Sequence, residues 1–182
     1  METLKTIATR RSVRNYTTEQ IPEEALMTIL KAGGAAAMGM RSYNRLHMSV
    51  VQDKELLTRM NKNIGQMMAR FAPDKANNDF TFGAPTMIIV SCKDPENTPM
   101  KGMHYINSGC VVQNMMLAAA ELGLGSFVLG MASDAIKNDP QLHSDMNIPA
   151  DFTPLFGLAL GYDAENKTIE KPMDLTIEIS RA

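Results

Sequence analysis

The stretch Ile106–Gly130, INSGCVVQNMMLAAAELGLGSFVLG, decides the fold, because it joins the longest helical segment of the chain to a short apolar strand. Residues Ile106–Leu122 are apolar on nearly all sides, which is typical of a helix buried over most of its surface. Gly123 and Gly125 end this helix, and Ser126–Gly130 follows as a buried strand. In a dinucleotide-binding motif the glycines follow a strand and precede a helix, so the reverse order here indicates a helix C-cap.

The rest of the chain also alternates between helical and strand patterns. From Leu57 to Phe71 apolar residues recur every three or four positions, which predicts a helix. Strands separated by helices indicate an α/β or α+β layered domain, in which helices cover a central sheet, and we expect a single domain over residues 1–182. The other predicted elements are helices over 2–9 and 22–34, a loop up to 44, strands over 46–52, 86–92 and 154–162, and a polar helical segment after 130.

The C-terminal segment has a different pattern. Leu175, Ile177 and Ile179 alternate with polar residues, and this period of two predicts a strand. An apolar strand at a chain terminus needs a sheet edge to pair with, either in its own subunit or in a second copy.

Composition limits the classes of function. The chain has 182 residues, 45% hydrophobic and 21% charged, with a formal net charge of -2. These values are typical of a soluble globular protein and argue against nucleic acid as a main partner. The N-terminus does not resemble a signal peptide, and no apolar run is long enough to span a membrane. Cys92 and Cys110 fall in segments that we expect to be buried, which favours a reducing compartment and a cytoplasmic location.

The segment Arg10–Tyr16, RRSVRNY, places three guanidinium groups and a hydroxyl after the first predicted helix. Arginine has forked, charged donors that match a phosphate, so the segment is a candidate site for a small anion. The alternative is a solvated helix cap, because cations near a helix C-terminus also interact favourably with the macrodipole. The three histidines have no ligand spacing typical of zinc, so no metal site is expected.

Five short motifs together resemble the FMN-dependent nitroreductase family, in order and spacing over nearly the whole chain. None of them is specific when taken alone. They are Arg10-Arg11-Ser12-Val13-Arg14, Asn44 before a strand, Ala84-Pro85 before an apolar strand, Gln113–Ala119 leading to Gly123-Leu124-Gly125-Ser126, and Leu160-Gly161-Tyr162.

The resemblance implies an α+β fold with a central, mostly antiparallel sheet that is completed by the C-terminal arm, residues 171–182, of the partner subunit. It implies a homodimer with FMN in the subunit interface. NADH or NADPH would be the electron donor, and nitroaromatics, quinones or similar electron-poor molecules would be the acceptors. The implied mechanism is ping-pong hydride transfer at flavin N5, in which the cofactor supplies the chemistry and no side chain acts as a catalytic acid or base.

The resemblance also implies roles for residues of the basic segment and of the strand after the glycines. Arg10 and Ser12 match the positions that hold the FMN phosphate, with Arg11 nearby. Arg14 matches the cation that faces the N1/O2 edge of the flavin, where a fixed positive charge stabilises the reduced anion. The backbone of Val128, Leu129 and Gly130 matches the segment next to N5.

A second set of implied site residues lies before the first strand. Arg41, Ser42 and Asn44 match the loop that reaches the flavin of the partner subunit. An asparagine amide can donate to and accept from the pyrimidine edge of a flavin. Outside this resemblance, Asn44 would be interpreted as a turn residue.

The chain departs from the family pattern at three places. Leu46-His47-Met48 replaces a run similar to Gln-Pro-Trp, and Asn107 stands where many relatives have an acidic residue in the long helix. Glu170 replaces one member of a basic pair near the C-terminus, and Lys171 remains to contact the phosphate. We therefore expect Arg10 and Arg11 to contribute more to phosphate binding than in relatives that retain both basic residues.

Two other functions fit the same scaffold. A flavin store or sensor would bind FMN without efficient turnover, whereas an interaction protein would keep the dimer and would have lost FMN. The colour of the purified protein, and its bleaching by NADH or NADPH, distinguish these functions from an enzyme.

Overall fold

Four antiparallel strands form the centre of the part of the chain that the structure describes. A computed structural model describes residues 2–41, 43–93, 101–171, 173–174 and 177–181. The strands are paired in the order β1-β2-β4-β3, which leaves β1 and β3 at the two edges of the sheet. Their bounds are β1 Leu46–Val51, β2 Thr86–Lys93, β3 Gly125–Leu129 and β4 Phe152–Gly161.

Strand β2 lies in the interior of the sheet because its side chains are apolar on both faces of the sheet. Met87 and Ile89 pack into one hydrophobic cluster, whereas Ile88 and Val90 pack into the other. The pairing of β2 with β4 shifts between Val90 and Ser91, opposite the only proline of β4. Proline has no backbone N–H to donate to the ladder, and prolines within sheets are found at edges and at bulges such as this one.

Helices cover both faces of the sheet. On one face α2 and α4 pack together, while α3, α5 and α6 form a second layer on the other face. Helix α3 begins where the Asp53 carboxylate accepts from the N–H groups of Glu55 and Leu56, at 2.8 and 3.1 Å. The helices are α1 Thr3–Thr9, α2 Glu23–Gly34, α3 Lys54–Met68, α4 Lys101–Glu121, α5 Met131–Lys137 and α6 Pro140–Asp145.

The predicted α+β class and the central antiparallel sheet are confirmed. One predicted helix end is wrong: α3 stops at Met68, and Phe71 lies beyond it with 85% of its surface exposed. Helix α4 is also less buried than its composition suggested. Val111, Val112 and Met115 are buried, but Ile106 is largely exposed. No helix in the described residues is long and apolar enough to cross a membrane.

The C-terminal segment forms no strand within its described residues, 173–174 and 177–181. Ile177 and Ile179 are 80% and 58% exposed, so these apolar side chains are not buried within one subunit. Leu175 lies outside the described residues. Pairing of this segment with the sheet of a second copy stays a prediction.

Gly125 allows the N-terminal segment to lie against β3. A Cβ at Gly125 would stand 2.8 Å from Val13 Cγ2 and 2.9 Å from Val13 Cβ. We predict that Gly125→Ala lowers the free energy of unfolding by about 1–3 kcal/mol, because the stiff valine side chain cannot move aside. Urea unfolding measures this loss. Gly109→Ala in α4 is the matched control, since its Cβ would meet no atom within 4 Å. An equal loss in both variants would contradict the packing role of Gly125.

Candidate functional site

The basic segment runs along the edge of the sheet beside β3. Arg10 follows the last residue of α1, and its N–H donates to Thr6 O at 2.9 Å. Ser12 then pairs in parallel with Ser126, and the Val13 N–H donates to Ser126 O at 3.0 Å. Val13 is buried, whereas Ser12 and Arg14 on either side of it are exposed. The backbone pairing therefore presents polar side chains to solvent from a fixed position.

Arg11 differs from its neighbours because an acidic residue engages it. Its Nη2 forms an ion pair with Asp163 Oδ2, and its Nε donates to Lys167 O at 3.3 Å. Burial opposes ionisation of Asp163, but the N–H groups of Glu165 and Lys167 and the Arg11 guanidinium lower the pKa of this carboxyl. Arg11 is thus tied to the loop after β4, which the spacing of the sequence did not predict.

Lys171 lies directly against the start of the basic segment. Its backbone N–H donates to Ala8 O at 3.0 Å, and its Nζ donates to Arg10 O at 3.2 Å. The structure thus brings together two of the residues predicted to contact a phosphate. Glu170 beside it is exposed.

A cleft of about 410 Å³ opens between α1, the end of α4 and the loop after β4. Its charged lining residues are Lys5, Arg10, Arg11, Lys167 and Asp163. Lys167 is also paired with Glu165 at 2.9 Å. Cations outnumber anions in this lining, so the cleft favours an anionic group.

Arg14 stacks on an aromatic ring. Its guanidinium carbon is 4.6 Å from the centroid of Phe127 on β3, the distance of a cation–π contact. The Phe127 ring in turn meets Phe82 edge to face, with centroids 5.2 Å apart. The side chain of Arg14 is therefore placed above the sheet edge although it is exposed.

The end of β3 provides open space next to this stack. Val128 and Leu129 complete the strand, and Gly130 connects it to α5 with helical torsion angles. A Cβ at Gly130 would meet no atom within 4 Å. The space beside Gly130 is therefore open to a ligand, whereas the Leu129 side chain is buried.

Arg41 and Asn44 of the second predicted set lie on two short turns before β1. These turns are Gly39–Arg41 and Tyr43–Arg45, and Met40 within the first turn has a positive φ of 60°. Asn44 is exposed. The side chain of Arg41 and all of Ser42 lie outside the described residues.

Asn107, one of the departures from the family pattern, holds the first of these turns. It is 1% exposed, its Oδ1 accepts from the Gly39 N–H at 2.9 Å, and its Nδ2 donates to Gly39 O at 3.4 Å. An ionised carboxylate has no donor, so an acidic residue could not make both contacts. The amide thus fits the backbone that it contacts.

The basic segment and Asn44 lie at opposite edges of the sheet. The basic segment flanks β3, and the turns with Asn44 lead into β1. Two strands separate β1 from β3, which corresponds to about 14 Å between the edges at about 4.8 Å per strand. One subunit does not bring these residues together.

A family model described as the nitroreductase family matches residues 7–162 of the chain. The chain belongs to the nitroreductase family. Its sequence is 33% identical, over 91% of the chain and 80% of the relative, to a Methanothermobacter thermautotrophicus protein with the provisional name NADH dehydrogenase/NAD(P)H nitroreductase. It is 27% identical to FMN reductase (NADPH) of Bacillus subtilis, over 93% of this chain and 69% of that one.

The fold of this nitroreductase-family chain is also that of solved structures. A nitroreductase with bound FMN from Bacteroides fragilis aligns over 100% of both chains with a TM-score of 0.81 and 28% identity. The family resemblance stated from the five motifs is therefore confirmed. The roles of the individual site residues stay predictions.

Sequence reasoning missed three residues at the candidate site. Phe82 and Phe127 support Arg14, and Asn107 holds the turn before Asn44. The positive φ of Phe82 could not be predicted from the sequence, because residues with a positive φ in turns are usually glycine or asparagine. Asn107 departs from the family pattern, but no local pattern in the sequence predicts its contact with Gly39.

His104 is a buried histidine that lies one turn before Ser108 on α4. It is 3% exposed, and neither ring nitrogen has a hydrogen-bond partner among the described residues. Burial, and then the charge of Arg45, lower the pKa of His104 below its ordinary value of 6.5. No cluster of three metal-ligating residues exists in the described part of the chain.

We predict that the melting temperature falls as the pH is lowered through the histidine range. Below about pH 6.5 the unfolded chain binds a proton at His104 that the folded chain does not bind, so stability is fully present above this value and decreases below it. Melting between about pH 5.5 and 7.5 measures the slope. His104→Leu should reduce the slope but not abolish it, because burial also lowers the pKa of His47. Identical slopes in the variant and the wild type would contradict this role.

Proposed function

We propose that this protein is an FMN-dependent NAD(P)H oxidoreductase that reduces nitroaromatics, quinones or similar electron-poor acceptors. The observation that carries the proposal is the basic segment fixed at the edge of β3, with Ser12 and Arg14 exposed and Lys171 against Arg10. Fixed cations beside an open strand end fit an anionic ligand with a flat ring. The relatives support this choice, since one binds FMN and another is named FMN reductase (NADPH).

In this proposal Arg10, Ser12 and Lys171 hold the phosphate of FMN. Their donors lie at the end of α1, next to the cleft with excess positive charge. Arg11 would also contribute charge there, but its guanidinium is engaged by Asp163. We therefore assign Arg11 mainly to fixing the segment, which differs from the larger share expected from the sequence.

Arg14 has a different role, because it stands away from α1 and over the ring of Phe127. A guanidinium beside the N1/O2 edge would stabilise the negative charge of the reduced flavin and raise its reduction potential. The backbone of Val128, Leu129 and Gly130 would lie next to N5, with open space beside Gly130. When bound, FMN supplies the redox chemistry, namely hydride exchange at N5 with NADH or NADPH and then with the acceptor in ping-pong order.

We propose a homodimer with FMN in the subunit interface. Asn44 lies at the β1 edge and the basic segment at the β3 edge, so we infer that the two contact one flavin from different subunits. Arg41 and Ser42 belong to the same loop and would act with Asn44. The arm, residues 171–182, would pair with the partner's sheet and cover the exposed side chains of Ile177 and Ile179. We place the protein in the cytoplasm.

The visible spectrum of the purified protein tests the function. We expect a yellow protein that bleaches with NADH or NADPH under anaerobic conditions and regains its colour when a quinone is added. Colour without bleaching would instead indicate a flavin store or sensor. A colourless protein that binds no added FMN would instead indicate the dimeric interaction protein.

Two arginine variants distinguish binding of the FMN phosphate from control of the reduction potential. We predict that Arg10→Ala weakens FMN affinity by at least about 10-fold, because one charge-assisted contact to the phosphate is lost. Arg14→Ala should instead lower the midpoint potential of bound FMN and change its affinity less. Fluorescence titration measures the affinity, and photoreduction with a reference dye measures the potential. Equal loss of affinity in both variants, with an unchanged potential, would reject this division.

A further inference from the structure

We propose that Phe127 is a positioning residue for Arg14, and that the turn carrying Phe82 holds Phe127 in its place. The proposal rests on the proposed function, since that function assigns Arg14 to the flavin. It adds Phe127 and Phe82 as residues that would fix the position of the Arg14 guanidinium.

The first step is the contact between Arg14 and Phe127. Arg14 is exposed, and a long exposed side chain would otherwise move among many rotamers. Its guanidinium carbon lies 4.6 Å from the ring centroid of Phe127, whose backbone is held by pairing with β4. An arginine stacks well on an aromatic face because its guanidinium is planar and delocalised. The contact therefore limits where the positive charge can be.

The second step is the support of Phe127 by Phe82. The two rings meet at an interplanar angle of 89°, the edge-to-face arrangement that aromatic pairs prefer. Phe82 has a φ of 56°, which is strained for a bulky residue. Such strain persists only where the surrounding structure imposes it, and it is found mainly at functional sites.

The surrounding contacts impose this conformation on Phe82. The Asp79 carboxylate accepts from the N–H of Thr81 at 2.9 Å and from the N–H of Gly83 at 2.8 Å. The carbonyl of Phe82 itself accepts from the N–H of Tyr16 at 3.1 Å. Tyr16 follows Arg14 by two residues, so the same turn fixes both the backbone beyond Arg14 and the ring beneath its side chain.

The test measures the midpoint potential of bound FMN in Phe127→Leu, Arg14→Ala and the double variant. Phe127→Leu should shift the potential in the same direction as Arg14→Ala. Expressed as the ratio of affinities for reduced and oxidised FMN, the shift should be about two- to fivefold, the size of an exposed cation–π contact. In the double variant the shift should equal that of Arg14→Ala alone, because Phe127 acts only through Arg14.

Two further variants separate positioning from general stability. Phe82→Gly removes the ring but relieves the strained φ, so the potential should shift as in Phe127→Leu while the fold is retained. Phe152→Leu is the matched control, because Phe152 also makes an edge-to-face contact, with His47, but sits on β4 away from Arg14. Its potential should equal that of the wild type.

The possible outcomes are distinct. If Arg14→Ala leaves the potential unchanged, the assignment of Arg14 in the proposed function fails. If Arg14→Ala shifts the potential and Phe127→Leu does not, the positioning role alone is overturned. Additive shifts in the double variant, or a shift in Phe152→Leu as large as that in Phe127→Leu, would also overturn it.

Discussion

The candidate site depends on the attachment of residues 10–16 to the edge of the sheet. The N–H of Val13 bonds to Ser126 O, the N–H of Tyr16 bonds to Phe82 O, and the missing side chain of Gly125 lets Val13 approach β3 closely. These contacts leave the segment few alternative conformations. The positions of Arg10, Ser12 and Arg14 follow from them, because a charged side chain can be placed accurately only on a fixed backbone.

Much of the fold was predictable because its elements have strong local patterns. Strand β2 is apolar on both faces, and Asp53 caps α3 by accepting from the N–H groups of residues two and three positions later. Residues close in the sequence are therefore enough to define both elements. The end of α3 was misjudged, because Phe71 continues the apolar spacing after the helix has stopped. Periodicity alone does not distinguish a buried helical position from an exposed apolar residue just beyond it.

The position of the basic segment next to the first helix was also predictable, but the partners of its individual arginines were not. The engagement of Arg11 depends on Asp163, which is 152 residues away in the chain. The amide of Asn107 contacts Gly39 across 68 residues, and Phe127 meets Arg14 only after β3 joins the sheet. Contacts between distant parts of the chain decide which cation is engaged and which is exposed, and spacing within one motif contains no information about them.

The separation of the two residue sets by the width of the sheet has a consequence for how the protein would be assembled in the cell. In the proposed dimer, a flavin contacted by both chains would link cofactor binding to subunit association by mass action. Binding of FMN would favour the dimer, and formation of the dimer would raise the affinity for FMN. Newly made subunits at low abundance would then release flavin readily, and the holoenzyme would accumulate cooperatively as the concentrations of chain and cofactor rise together.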